Sequence, residues 1–123
     1  MKSVNQTELY ALYKDTLSHV GTFLLTCERE EIEYHLFEEF DTDCTSFLHE
    51  TNLRALLEGG LISAEIYEAS LRLAAEFRGL EGTALCNPEA VVSAEAWRKV
   101  MELGDTLRGM VEAHESFHGR TDA

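Results

Sequence analysis

Apolar residues in this chain return every three or four positions, and alternating β-branched stretches are nearly absent. Leu9, Tyr13, Leu17, Val20, Leu24 and Cys27 form the first such series, and steps of three and four lay side chains along one face of an α-helix. A chain that keeps this period, broken only by glycines and cap-forming residues, folds as packed helices and not as a sheet. The expected class is all-α, with residues 1–123 as a single-domain bundle of about five helices.

Local signals place the helices. Asn5 followed by Glu8 reads as an N-cap with a capping-box partner, and Gly21 marks a close contact or a join within the first series. A second helix is expected over residues 28–40, with Ile32, Leu36, Phe37 and Phe40 on one face. Residues 41–46 are rich in cap formers and read as a turn. A third helix over residues 46–58 should stop at Gly59-Gly60. Ser63 caps a fourth, over residues 64–78, with Ile66, Ser70, Leu73, Ala74 and Phe77 as its stripe and Gly79 at its end. Asn87-Pro88-Glu89 supplies an N-cap, a proline at the first helical position and an acidic first turn. The last helix is expected from Ser93 to about residue 117, carrying Trp97, Val100, Gly104, Leu107, Val111 and His114 on one side. Phe47, Phe77, Trp97 and Phe117 are expected in the core, and His114 beside them, bonded to a carbonyl.

The charge restricts the partners. A net charge of −13 and a pI near 4.6 oppose binding to a nucleic-acid backbone and to an anionic membrane surface. Cys27, Cys44 and Cys86 are odd in number and form no CxxC pair, so a disulfide framework or a structural zinc site is not expected. Free thiols, the lack of an apolar run near the start and the shortness of every apolar run point to a cytoplasmic protein. No metal and no cofactor is expected.

Three patterns carry possible chemistry. Asp41-x-Asp43-x-Thr45 begins like a calcium loop, but Ser46 stands where glycine makes the sharp turn and Asn52 where a glutamate closes the shell. Glu115 and His118 form a single Glu-x-x-His pair, where a di-iron bundle needs two and further glutamates. Arg29 and His35 have a spacing similar to the Arg-x₄₋₆-His motif of HEPN-family ribonucleases, in which histidine serves as acid or base and arginine holds phosphate. Four glutamates surround that arginine (Glu28, Glu30, Glu31 and Glu33), a field that repels RNA. His19, His35 and His49 read as surface or boundary residues.

The acidity itself is concentrated. Between Glu28 and Glu50 nine acidic residues meet one basic residue, Arg29. At 100° per residue, Glu30, Glu31, Tyr34, Glu38 and Asp41 lie opposite the apolar face, and Asp43 extends the patch. A tyrosine amid carboxylates suits a basic protein partner, and these six residues are the expected contacts, with no catalytic residue among them.

The segments FLHETNLRALLEGGLISAEI, residues 47–66, and VSAEAWRKVMELGD, residues 92–105, resemble the small all-α immunity proteins of bacterial contact-dependent growth inhibition. The resemblance implies a cytoplasmic antitoxin that binds the C-terminal toxin domain of a cognate effector, commonly a nuclease. Its alternatives are an HEPN-like ribonuclease using Arg29 and His35, or a helical adaptor.

Overall fold

Helices begin where the sequence supplies caps. The computed structural model describes the backbone of residues 5–119 and the side chains of residues 5–117. Asn5 Oδ1 accepts from Glu8 N at 2.9 Å and opens α1 (Gln6–Leu17). A 3₁₀ turn (Thr22–Thr26) follows. Then comes one continuous helical run made of α2 (Arg29–Ile32), a π-helical segment (Glu33–Phe40) and α3 (Asp41–Phe47). His49 caps α4 (Glu50–Glu58), Ser63 caps α5 (Ala64–Leu80), and Asn87 with Pro88 opens α6 (Pro88–Ser93). The last helix, α7 (Glu95–Gly119), is the longest. The fold is all-α, and among the described residues there is no strand.

Burial decides the packing. α7 lies against α1, α5, α6 and the 3₁₀ turn, while α1 also contacts α3, α4 and the π segment. The buried apolar side chains form one cluster running from Leu9 to Val111. Its centre is aromatic. Phe40 meets Phe77 edge-on with centroids 4.8 Å apart, and Trp97 contacts both Phe77 and Phe37, geometries that aromatic quadrupoles favour. Trp97 is fully buried, and its indole N–H donates to Leu85 O at 2.7 Å. Tyr13 donates to Ser70 Oγ at 2.7 Å, and Ser70 donates to Ile66 O, so α1 and α5 are joined through the core with each hydroxyl satisfied. Burial pushes the Tyr13 phenol up to about 12.

Four sequence expectations are corrected. The first helix stops at Leu17, where Arg108 Nη1 of α7 donates to Leu17 O at 2.8 Å and to Val20 O in the bend beyond the helix. Gly21 is the join that its position suggested. Residues 41–46 are helix and not turn. Their cap-forming side chains bond elsewhere: Thr45 Oγ1 turns back to Asp41 O, and Arg78 of α5 holds Asp41, so tertiary contacts override local propensity. The chain breaks instead at Leu48-His49, where Asn52 Nδ2 donates to Ser46 O at 2.7 Å. Gly79 does not end α5, which runs on to Leu80. Phe117, expected in the core, is 75% exposed, and His114 is half-buried at the core's edge, where it meets a carbonyl as expected, with Nε2 3.2 Å from Gly60 O.

Gly59-Gly60 behaves as expected. Gly60 has φ +80°, Leu61 N donates to Leu56 O and Gly60 N donates to Leu57 O. This pair of bonds is the Schellman arrangement.

Candidate functional site

The continuous run from α2 to α3 carries the acidic residues, and its geometry sorts them. Ile32, Leu36, Phe40, Cys44 and Leu48 are all buried, a strict four-residue step. An α-helix at 3.6 residues per turn lets such a stripe drift by about 40° at each step. The π segment holds more residues per turn, and its bonding shows in Asp41 N donating to Leu36 O, five residues back. The wider coil keeps the stripe on one side. Two positions out of phase, Glu30, Tyr34, Glu38, Thr42 and Ser46 are all exposed.

The two flanks between these lines are turned into neighbouring helices. On one flank Arg29 ion-pairs with Glu89 of α6, Phe37 packs on Trp97, and Asp41 Oδ1 accepts from Arg78 Nη1 at 2.6 Å. Arg78 also donates to Asp41 O, Thr45 Oγ1 and Glu81. The hydrogen bond with Glu81 and then the Arg78 guanidinium hold the Asp41 carboxyl below the usual carboxylate range. On the other flank are Glu31, His35, Glu39 and Asp43. Glu31 Oε1 accepts from Glu28 N at 2.8 Å and closes the start of α2.

The six expected contact residues therefore divide. Glu30, Tyr34 and Glu38 share the outward line. Glu31 is exposed but occupied as a cap, whereas Asp41 and Asp43 are half-buried on opposite flanks. The grouping of Asp41 with Tyr34 on one face fails because it assumed 100° per residue through a segment that is wound more widely.

Tyr34 is 46% exposed and has a built support. Its ring makes edge-on contacts with His35 at 5.2 Å and His19 at 6.0 Å between centroids. His35 also receives Phe23 edge-on at 5.2 Å, and its Nδ1 lies 2.9 Å from His19 Nδ1. Burial and then the neighbouring His19 hold His35 below the usual histidine range. Burial, followed by the charges of Glu39 and Asp15, pushes Asp43 up.

His19 was expected near the surface. It is 8% exposed, in the bend after α1. The spacing carried no signal for it, since a position two residues after Leu17 lies off the α1 stripe and its partner is sixteen residues further on. Arg29 and His35, the ribonuclease-like pair, have separate partners in Glu89 and His19. His118 of the Glu-x-x-His pair lies outside the described side chains. Glu115 serves α1, accepting from Tyr10 at 2.7 Å and Lys14 at 2.5 Å.

The three cysteines are free, with Cys44 buried, Cys27 half-buried and Cys86 exposed. No helix among the described residues is long and apolar enough to cross a membrane. Comparison with known protein families, with curated proteins and with solved structures finds no match.

Proposed function

We propose that this chain is an immunity protein, a non-enzymatic cytoplasmic inhibitor that binds the toxin domain of a cognate bacterial effector one to one. The observation that carries the reading is the outward line Glu30, Tyr34, Glu38: a half-exposed tyrosine braced by two histidine rings, with a free carboxylate one turn to either side. An aromatic side chain already fixed in place loses little conformational freedom on docking, and tyrosine is enriched among residues that dominate interface energies. Carboxylates on a surface of net charge −13 speed encounter with a cationic domain and disfavour anionic ones. A nuclease must present cations along its phosphate cleft, so a nuclease toxin is the partner class, with Glu30 and Glu38 standing where phosphates would bind. The resemblance of residues 47–66 and 92–105 to contact-dependent growth inhibition immunity proteins supports the same reading.

The test separates steering from anchoring. Glu31 is spared because it caps α2. Glu30→Lys with Glu38→Lys leaves the melting curve close to that of the parent and slows association roughly tenfold at low salt. Tyr34→Ala speeds dissociation, with a loss of about 2 kcal/mol or more. Cells that express the cognate toxin lose protection with the combined variant. If these variants bind and protect as the parent does, the acidic line is a solvated surface and the reading fails.

A further inference from the structure

Where α1 ends, three potential ligands converge from two elements. Asp15 is on the last turn of α1, His19 lies in the bend that follows, and Asp43 is on α3. One ligand atom from each lies within 4.8 Å of the other two. His19 Nε2 faces Asp15 Oδ2 at 3.6 Å. That separation is longer than a direct hydrogen bond, and it is close to the spacing of about 3.4 Å between two ligands of a tetrahedral zinc ion.

We propose that Asp15, His19 and Asp43 form a binding site for a divalent cation of the zinc class, with water in the remaining position. The second and independent observation is the support given to His19. The residue is 8% exposed, and its other ring nitrogen, Nδ1, lies 2.9 Å from His35 Nδ1. A metal-binding imidazole almost always donates its far N–H to an acceptor that fixes the tautomer and the ring plane. Metal binding selects the arrangement in which His19 Nδ1–H donates to His35 Nδ1, leaving the Nε2 lone pair, 3.6 Å from Asp15 Oδ2, for the ion. His35 is in turn held by Phe23 and Tyr34, so the supporting ring is itself positioned.

The donor set selects the ion. One imidazole nitrogen and two carboxylates suit zinc, nickel or cobalt, whereas calcium takes six to eight oxygens and magnesium near-ideal octahedral oxygen. Asp15 is well exposed and free to close the remaining gap, so the site is open to solvent on that side. A bound cation also neutralises two carboxylates held close together beside Glu39. It joins the end of α1 to α3. Separated by four and then twenty-four positions, these three residues match no sequence motif, and neither the cysteine count nor the calcium and di-iron patterns behind the expectation of no metal bring them together.

The experiment is calorimetric titration of chelator-treated protein with Zn²⁺, in parallel with thermal melts and with Co²⁺ as a spectroscopic substitute. Expected are one equivalent bound, a melting temperature that climbs with Zn²⁺ concentration, and a visible Co²⁺ band of the intensity that low-coordinate sites give. Mg²⁺ produces none of these. Asp15→Asn and Asp43→Asn each weaken binding by at least about tenfold. His49→Gln, which removes an exposed histidine at the head of α4, leaves the isotherm unchanged. Asp15→Asn keeps the variant test meaningful, since an exposed carboxylate can be neutralised without opening the core, whereas His19→Gln could also loosen the fold. Absence of a one-to-one isotherm overturns the proposal, as does an isotherm that survives both aspartate substitutions. The toxin takes no part in this measurement, so its outcome stands apart from that of the inhibition assay.

Discussion

Single atoms set the fit between α7 and the exit of α1. A Cβ built on Gly104 would lie 2.6 Å from Val20 O, and a backbone carbonyl cannot swing aside as a side chain can. Gly104→Ala should cost about 1–3 kcal/mol through overpacking, only partly offset by the better helix propensity of alanine. Gly109 stands five residues along the same helix with open space around its missing Cβ. Gly109→Ala should stabilise by about 0.5–1 kcal/mol. Thermal melts of the two variants should therefore move in opposite directions. A similar contrast applies to charge. Lys14 and then the Tyr10 hydroxyl hold the Glu115 carboxyl below its ordinary value of 4.5. A carboxyl lowered on folding adds stability above its ordinary range, and that stability is lost as pH falls through the folded value. The pair is more than a third exposed, so solvent screening keeps its contribution to about 0.5 kcal/mol. Glu115→Gln should lower stability slightly at pH 7 and flatten the acid limb of a melting profile taken below pH 5.

At the scale of elements, punctuation was legible and winding was not. Asn5, Ser63, Asn87-Pro88 and Gly59-Gly60 mark their helix ends as the sequence suggests, because capping is a short-range bond between neighbours. Gly60 shows the energy at stake. Its φ of +80° lies in open space, so Gly60→Ala should cost about 1 kcal/mol from the backbone alone, measurable by denaturant titration. The turn expected at residues 41–46 failed for a long-range reason: Asp41 and Thr45 are held by Arg78, thirty-seven and thirty-three positions away. The acidic face was half legible. Glu30, Tyr34 and Glu38 stay together at either 100° or 90° per residue, while Asp41 and Asp43 part company once the π segment widens the coil. The wider winding was masked in the sequence, since Phe37 and Phe47 add three-residue steps to the four-residue series Ile32, Leu36, Phe40, Cys44 and Leu48. The convergence of Asp15, His19 and Asp43 left no trace there, because only the packing of α1 on α3 creates it.

For the molecule as a whole, a net charge of −13 works against compaction, since like charges repel across a surface of this size. Added salt screens that repulsion within a Debye length of about 10 Å at 0.1 M. The melting temperature should therefore rise as sodium chloride is raised from about 10 mM to 0.5 M. A fall on the same titration would mean that ion pairs such as Arg78–Asp41 outweigh the general repulsion. The four-residue step of the helical run has a further consequence, for inheritance. Because the inward positions carry the core and the outward ones are exposed, the two sets can change largely independently, Tyr34 excepted, whose ring meets His19 and His35. Replacements at residues 30, 38, 42 and 46 should change the outward surface and leave foldability almost untouched. If the outward line binds a partner as proposed, a lineage built on this scaffold can exchange one partner for another by a series of single steps, each of which still yields a folded protein.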